Sequence, residues 1–285
     1  MTVTLLCTVR ECRTPLALEE RRYVCARGHS FDIARSGYVN LLQPQDRRSN
    51  SPGDSREAVN ARRRFLDRGF ATPLVRAIVE LLPMRSGEAF LDAGCGEGTH
   101  TAAFRDAYTV EAHGTDISLP AIELAAKRHT ECHWTIANAD RFLPYADGSF
   151  AGVASITARL SVDEFARVLA PDGTLLVVIP GADDLIELRA AMQGEAVERD
   201  RVQRTIEMFA PRFTLVRHER LAHVATLDRE AIADVLASSY RGFRMREQER
   251  LAVLDALDVT LSRDALLFAI ASALRGYNPA PCIAN

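Results

Sequence analysis

The sequence lacks the features of a membrane or secreted protein. Its 285 residues contain no uncharged apolar run of about 18 or more, the length that a membrane-spanning helix requires. The opening MTVTLLCTVRECR holds no apolar segment long enough for a signal peptide. We therefore expect a cytoplasmic protein without a membrane partner. A composition of 47% hydrophobic and 26% charged residues predicts one large core with a small appendage.

Lysine is almost absent, because every basic side chain except Lys127 is an arginine. The arginines are concentrated at the front of the chain. Residues 1–85 contain 15 arginines against 9 acidic residues, whereas the whole chain carries a net charge of −3. A basic front third points toward an anionic partner without establishing one.

Cysteine is too unevenly spread for a disulfide scaffold, because three of the six cysteines fall within the first 25 residues. Cys7 and Cys12 form one pair, and Cys25 and His29 form a second pair after a short hairpin-like segment. Two such pairs supply the four tetrahedral ligands of zinc. The spacing predicts a structural zinc site in a small domain over residues 1–45; the alternative is three unrelated thiols in a reducing compartment.

The next segment, residues 46–85, is predicted to be a basic helical linker. Asp54 or Ser55 is placed to cap a helix that runs through Arg62, Arg63 and Arg64, and a second helix is predicted from Pro73 to Leu82. The sequence leaves open whether the basic face is merely solvated or faces RNA.

Strand and helix patterns alternate from residue 86 onward. Strands are predicted at residues 89–92, 109–115, 132–137, 150–156 and 174–179, with helical stretches between several of them. Such alternation predicts an α/β fold with a parallel sheet, in which the ligand site lies at the carboxyl ends of the strands. Further strands are predicted over FTLVRHERLAHVATL and ALLFAIASAL, and helices over DREAIADVLASS and EQERLAVLDAL.

The stretch FLDAGCGEGTH, residues 90–100, predicts a cofactor loop. Glycines 94, 96 and 98 allow the backbone to turn sharply and to approach a bound cofactor closely. A glycine loop alone is a weak signal, since dinucleotide-binding proteins use similar ones.

Acidic and amide side chains at neighbouring strand ends make the prediction specific. Asp92 can hold an ammonium group, Asp116 can accept ribose hydroxyls, and Asn138-Ala139-Asp140 can receive an adenine amino group. A pyrophosphate would be repelled by Asp92 and Glu97. The set therefore favours S-adenosylmethionine and resembles that of class I methyltransferases over roughly residues 86–181.

The resemblance extends to one family within that superfamily. The four zinc ligands, FDIARSGYVNLL, SPGDSREAVNARRRFLDRGF and LDAGCGEGTHT together resemble the bacterial 23S ribosomal RNA (guanine-N1)-methyltransferases, a family that includes a macrolide-resistance enzyme. The resemblance implies a Rossmann-like class I methyltransferase fold with a mostly parallel seven-stranded sheet over residues 86–285. It also implies S-adenosylmethionine and structural zinc as cofactors, and 23S rRNA as partner. The expected cofactor-binding residues are Asp92, Ala93, Gly94, Gly96, Glu97, Gly98, Thr99, His100, Asp116, Ile117, Asn138, Ala139 and Asp184.

Departures from the family pattern fall mainly on the acceptor side. Thr157-Ala158-Arg159-Leu160 replaces the usual turn after the fourth strand, and Asp184 stands where a histidine is usual. Asp140, Asp163 and Asp184 are the carboxylates placed to take a proton, and none is assigned as the catalytic base. A different RNA, a small-molecule acceptor and RNA binding without turnover remain alternatives, and dimerisation through the zinc-binding segment stays open.

Overall fold

The computed structural model describes residues 3–47, 49–194, 197–238 and 254–271. The strands are β1 (Leu16–Glu19), β2 (Arg22–Cys25), β3 (Ser30–Asp32), β4 (Tyr38–Asn40), β5 (Ala89–Ala93), β6 (Glu111–Asp116), β7 (His133–Ile136), β8 (Phe150–Ile156), β9 (Leu169–Pro180), β10 (Phe213–Asp228) and β11 (Ala256–Ile270). The helices are α1 (Arg56–Asp67), α2 (Thr72–Leu81), α3 (Thr99–Tyr108), α4 (Leu119–Arg128), α5 (Val162–Val168), α6 (Ile186–Gln193), α7 (Val202–Phe209) and α8 (Arg229–Ser238).

One large sheet organises the molecule, with strand order β10-β11-β9-β8-β5-β6-β7-β4. The strands from β9 to β4 run parallel, and β11 and β10 are antiparallel additions. The predicted α/β class is confirmed. Among the described residues the sheet has eight strands, one more than expected, because β4 of the zinc-binding segment pairs with β7.

Alternate side chains of the central strands pack into two hydrophobic cores, one on each face of the sheet. In β5, Leu91 and Ala93 point to the face covered by the zinc-binding segment, α5 and α7, while Phe90 points to the face covered by α2, α3 and α4. A strand buried on both faces reads as a continuous apolar run, as AFLDA does until Asp92.

Residues 3–37 form a small ribbon that is packed onto the large sheet. Strands β1, β2 and β3 make an antiparallel sheet of their own. Leu16 and Phe31 of this ribbon belong to the same core as Leu91. An isolated bridge between Leu5 and Tyr145 fixes the ribbon to the sheet further.

Helix α1 begins at Ser55, whose Oγ accepts a hydrogen bond from the Ala58 amide at 3.2 Å, which agrees with one of the two predicted caps. Its three consecutive arginines are ion-paired within the chain. Their partners are Asp54 for Arg62, Asp67 for Arg63 and Asp234 of α8 for Arg64. Each guanidinium is thus held by an acidic neighbour, and each side chain keeps between 36% and 53% of its surface exposed.

The two strands predicted near the C-terminus are present as the antiparallel pair β10 and β11, and the first predicted helix is α8. Most of the helix predicted over EQERLAVLDAL lies outside the described residues, and its last two residues, Ala256 and Leu257, begin β11 instead. No helix in the described part of the chain is long and apolar enough to cross a membrane.

Candidate functional site

The glycine loop leaves β5 and turns directly into α3. Gly94 and Gly98 both have a φ of +87°, in the left-handed region that favours glycine. A Cβ on Gly94 would lie 2.3 Å from the Cβ of Ala158, and one on Gly98 would lie 2.4 Å from the Trp134 ring. The loop is thus pressed against the turn after β8 on one side and against β7 on the other.

Asp92 is the buried carboxylate at the entrance to this loop, with only 1% of its surface exposed. Its Oδ2 accepts a hydrogen bond from Thr101 Oγ1 at 2.7 Å, whereas its buried Oδ1 accepts none within the described residues. Burial raises the pKa of this carboxyl to about 7. A buried acceptor without a partner is costly, which makes Oδ1 a candidate acceptor for a donor group of a ligand.

Asp116 ends β6 beside the loop. Its Oδ2 accepts from the Gly96 amide at 3.0 Å, and its Oδ1 accepts from the Ser118 amide at 2.8 Å. Burial raises the pKa of this carboxyl as well. Each oxygen retains a second lone pair, so the carboxylate is held in place by the backbone and still able to accept hydroxyl groups.

The segment before α1 covers this end of the site. Gly53 has a φ of +81°, and a Cβ there would lie 2.7 Å from the Cβ of Ser118. Ser118 Oγ also donates to the Asp54 carbonyl at 2.8 Å. The Arg62 guanidinium, paired with Asp54 at 2.8 Å, lies 3.5 Å from where a Cβ on Gly96 would be. Sequence reasoning missed Arg62 and Asp54 as neighbours of the site, because only tertiary packing brings them there.

Charged groups continue from the loop toward β9 and β11. Glu97 is buried, with 4% exposure. Burial lowers the pKa of His100 to about 4, with smaller effects from Glu97, Arg62 and Arg263. Asp184, after β9, accepts from the Ser262 amide at 3.0 Å and pairs with Arg263 at 2.5 Å. Ser262 and Arg263 belong to the last strand and carry no motif that would have revealed them.

The remaining predicted cofactor residues lie along the same edge. Thr99 begins α3, and Ile117 packs onto the core beneath α4. Asn138 follows β7, where its Nδ2 donates to the Asp46 carbonyl at 2.8 Å and its Oδ1 accepts from the Asp140 amide at 3.1 Å. Ala139 packs against the core on the ribbon side. The Asn138 amide therefore joins the loop after β7 to the end of the ribbon segment.

The four predicted zinc ligands converge as expected. Their donor atoms all lie within 4.8 Å of one another. The His29 Nδ1 lies 3.3 Å from Cys7 Sγ and 3.4 Å from Cys25 Sγ, and Cys12 Sγ lies 4.0 Å from Cys25 Sγ. A tetrahedral ion with metal–sulfur bonds of about 2.3 Å requires sulfur atoms about 3.8 Å apart, which this cluster provides.

A groove of about 590 Å³ separates the ribbon from the loop after β7. It is lined by Arg10, Arg13, Gln45, Asn138, Arg141 and Phe142, among others. The Arg13 guanidinium lies 4.8 Å from the centre of the Phe142 ring. Arg10 is exposed and makes no side-chain hydrogen bond or ion pair with residues that the structure describes. Three arginines, Arg10, Arg13 and Arg141, line this groove, which suits an anionic ligand.

The acidic residues considered for proton removal are separated in the structure. Asp140 lies 3.5 Å from Arg159 Nε, whereas Asp163 is bonded to Arg212 at 2.9 Å on an exposed surface. Asp184 is engaged by Arg263.

Comparison with known proteins identifies two family models. The model described as "RlmA, N-terminal", a zinc ribbon, matches residues 6–50, and the model described as "Methyltransferase domain" matches residues 90–173. These ranges contain the four sulfur and nitrogen ligands and the glycine loop, respectively.

Full-length relatives are also similar. A 23S rRNA (guanine(748)-N(1))-methyltransferase of Streptomyces fradiae is 34% identical over 261 residues, which is 88% of this chain and 92% of the relative. The Bacillus subtilis protein YxjB, to which 23S rRNA (guanine-N(1)-)-methylation is attributed, is 34% identical over 265 residues with the same coverage of both chains.

Solved structures support the fold. A chain from the Haloferax volcanii complex of the Trm112 methyltransferase activator with a methyltransferase aligns with a TM-score of 0.53 at 18% identity, covering 77% of this chain and 99% of that one. A Bacillus halodurans structure described as a methyltransferase aligns with a TM-score of 0.50 at 16% identity, covering 68% and 97%.

Proposed function

The chain belongs to the 23S rRNA (guanine-N1)-methyltransferase family, and from that membership we propose that it transfers a methyl group from S-adenosylmethionine to N1 of a guanine in 23S rRNA. The cofactors are S-adenosylmethionine as methyl donor and zinc as a structural ion. The division into residues 1–45, 46–85 and 86–285 remains our proposal for the domains.

The proposed binding site for the methyl donor rests mainly on Asp92. Its Oδ1 is buried and has no hydrogen-bond partner among the described residues, which suits the ammonium group of a methionine moiety. We assign the ribose hydroxyls to Asp116, whose oxygens keep free lone pairs, and the adenosine to the loops of Ile117, Asn138 and Ala139. The cofactor supplies an electrophilic methyl group on a sulfonium ion.

The acceptor side is proposed to lie between the glycine loop, the turn after β8 and the ribbon groove. Guanine N1 is on the Watson–Crick edge, so the base must be unpaired or swung out before it can reach the methyl group. The exposed Arg10 and Arg13 would contact the RNA backbone while the residues around Gly94 and Ala158 orient the base. Orientation is the chief contribution of the protein to such a transfer.

Four finer statements are also proposals. The target guanine lies in a hairpin of 23S rRNA, the protein works in the cytoplasm, two copies associate through the ribbon, and methylation confers resistance to a macrolide. Growth of an expressing strain on the macrolide, compared with a strain expressing the Asp92→Asn variant, tests the last statement directly.

The decisive experiment uses 23S rRNA from a strain lacking guanine-N1 methylation. The full chain is incubated with this RNA and methyl-labelled S-adenosylmethionine, and the nucleosides are separated. We expect label in 1-methylguanosine, and on the order of 100-fold less label for Asp92→Asn at a cofactor concentration below saturation. Intact cofactor binding without labelled nucleoside would contradict the proposed acceptor, whereas loss of cofactor binding in the unaltered chain would contradict the donor site.

A further inference from the structure

A second group of metal-ligating side chains lies at the edge of the sheet opposite the cofactor loop. Glu111 and His113 are two residues apart on β6, so they project from the same face of the strand. His133 begins β7 and is the register partner of His113 in the parallel pair. Three donors from adjacent strands thus converge on one face, at the amino-terminal ends of β6 and β7.

The donor atoms are already close together. Glu111 Oε1 lies 3.1 Å from His113 Nε2, and the two imidazole rings are stacked with their centres 4.6 Å apart. Each of the three residues offers a donor atom within 4.8 Å of the other two. Zinc–nitrogen bonds of about 2.0–2.1 Å in a tetrahedron place donors about 3.3 Å apart, so two of the donors need little movement.

The surroundings fix one histidine and leave the other free to turn. His113 is buried, with 6% exposure, and contacts the rings of Tyr145 and Phe150 edge-on. His133 is exposed, so its ring can rotate toward an ion without disturbing the core. Glu111 is partly exposed, which leaves one side of the group accessible to a water molecule as fourth ligand.

The chemistry of the donor set also suits zinc. Two imidazoles and one carboxylate match the three protein ligands of many zinc sites that keep a fourth position for water.

We propose that Glu111, His113 and His133 bind a second zinc ion, separate from the cysteine site of the ribbon. The ion would join β6 to β7 where both strands begin. This place lies next to the attachment of the N-terminal segment, because Tyr145 contacts His113 and also forms the bridge to Leu5. The site lies apart from the cofactor loop, and it does not depend on the identity of the methyl acceptor.

The first test is the zinc content of the full chain after equilibration with a buffered excess of Zn²⁺. We expect two equivalents in the unaltered protein and one in the His133→Gln and Glu111→Gln variants, which alter accessible side chains. His218→Gln is the matched control, since His218 contacts a single carboxylate, Asp264, at 2.8 Å, and it retains two equivalents. One equivalent in the unaltered chain, or two in His133→Gln, would overturn the proposal.

Cobalt substitution separates the two sites by their ligands. The ribbon site binds through three sulfurs and gives sulfur-to-cobalt charge-transfer absorption, whereas the proposed site has no sulfur and adds only visible d–d bands. His133→Gln should lose d–d intensity and keep the charge-transfer absorption. Coinciding spectra of this variant and the unaltered protein would show that His133 does not bind the ion, and would overturn the proposal.

Discussion

Two tight turns in this molecule use left-handed backbone for different purposes. In the ribbon, Arg10 and Arg13 have φ values of +40° and +49° on either side of Cys12. In the cofactor loop, the left-handed positions are glycines, such as Gly94. The ribbon turn presents side chains as ligands, so the residues with positive φ in this turn can carry a Cβ, as Arg10 and Arg13 do. The cofactor loop brings the backbone itself against other elements, so a Cβ is excluded.

The comparison predicts that loss of one ribbon ligand has the largest effect of any single substitution. Cys25→Ser removes one of four zinc donors, and structural zinc contributes on the order of 10 kcal/mol to the folding of isolated zinc-binding peptides. We expect one equivalent less zinc and loss of hydrogen-exchange protection over residues 3–42. Methyl transfer should fall below one percent, on the order of a 100-fold loss.

The control is Cys132→Ser, which alters a buried cysteine outside the metal cluster. Its zinc content should equal that of the unaltered chain, with a modest loss of stability from the changed core. A Cys25→Ser protein with full zinc content and unchanged exchange would show that the cluster does not bind the ion.

A substitution of Asp92 tests the cofactor loop, and the quantity measured is the affinity for S-adenosylmethionine. Asp92→Asn removes a charge-assisted hydrogen bond, and we expect on the order of 100-fold weaker binding by calorimetry. Because the pKa of Asp92 is raised to about 7, the carboxylate of the cofactor-free protein becomes protonated as the pH falls through 7. Affinity should therefore rise as the pH increases through about 7, until the ligand ammonium titrates near pH 8.

The raised pKa of Asp92 also affects the folding stability of the cofactor-free protein. An unfolded aspartate releases its proton near the ordinary pKa of 3.8, whereas folded Asp92 retains it up to about 7. The cofactor-free protein should therefore lose stability as the pH rises from about 4 to 7, and Asp92→Asn should lose less. A variant with the same pH dependence of its melting temperature as the unaltered chain would remove Asp92 as the cause.

A substitution of Gly53 separates the effect of its left-handed backbone from the effect of its close contact with Ser118. Gly53→Ala places a Cβ 2.7 Å from Ser118 and should displace the covering segment from Asp116, weakening cofactor binding about tenfold, in line with a cost of about 1–3 kcal/mol for overpacking. Gly87→Ala is the matched control, because its φ is +79° and nothing lies within 4 Å of its Cβ. Equal losses of affinity in both variants would refute a role for the contact with Ser118.

The sequence predicted the two turns well because their determinants are local. Four zinc ligands with short spacings and three glycines behind a strand define sites that require few other residues. The covering residues Asp54 and Arg62, and the partners Ser262 and Arg263 of Asp184, lie far away in the sequence. Nothing in their own neighbourhood indicates the contact, because tertiary packing alone creates it.

Tertiary packing also explains why the sequence did not predict β4 as the eighth strand of the large sheet. Tyr38–Asn40 is only three residues long and follows the ribbon directly, so its pattern does not distinguish a ribbon strand from an edge strand of the main sheet. Pairing with β7 decides the matter, and β7 lies roughly 100 residues away in the sequence at His133–Ile136. Short strands are therefore assigned by their neighbours and not by their own residues.

A substitution of Arg10 is expected to have the smallest effect, and it tests which side of the molecule contacts RNA. Arg10→Ala should weaken binding to 23S rRNA a few-fold, reduce the salt dependence by about one counterion and leave cofactor affinity unchanged. Arg22→Ala is the control, since Arg22 is an exposed ribbon arginine paired with Glu19 away from the groove. If the two variants bind RNA equally well, the groove does not contact the phosphates, and the acceptor must approach over the turn after β8 instead.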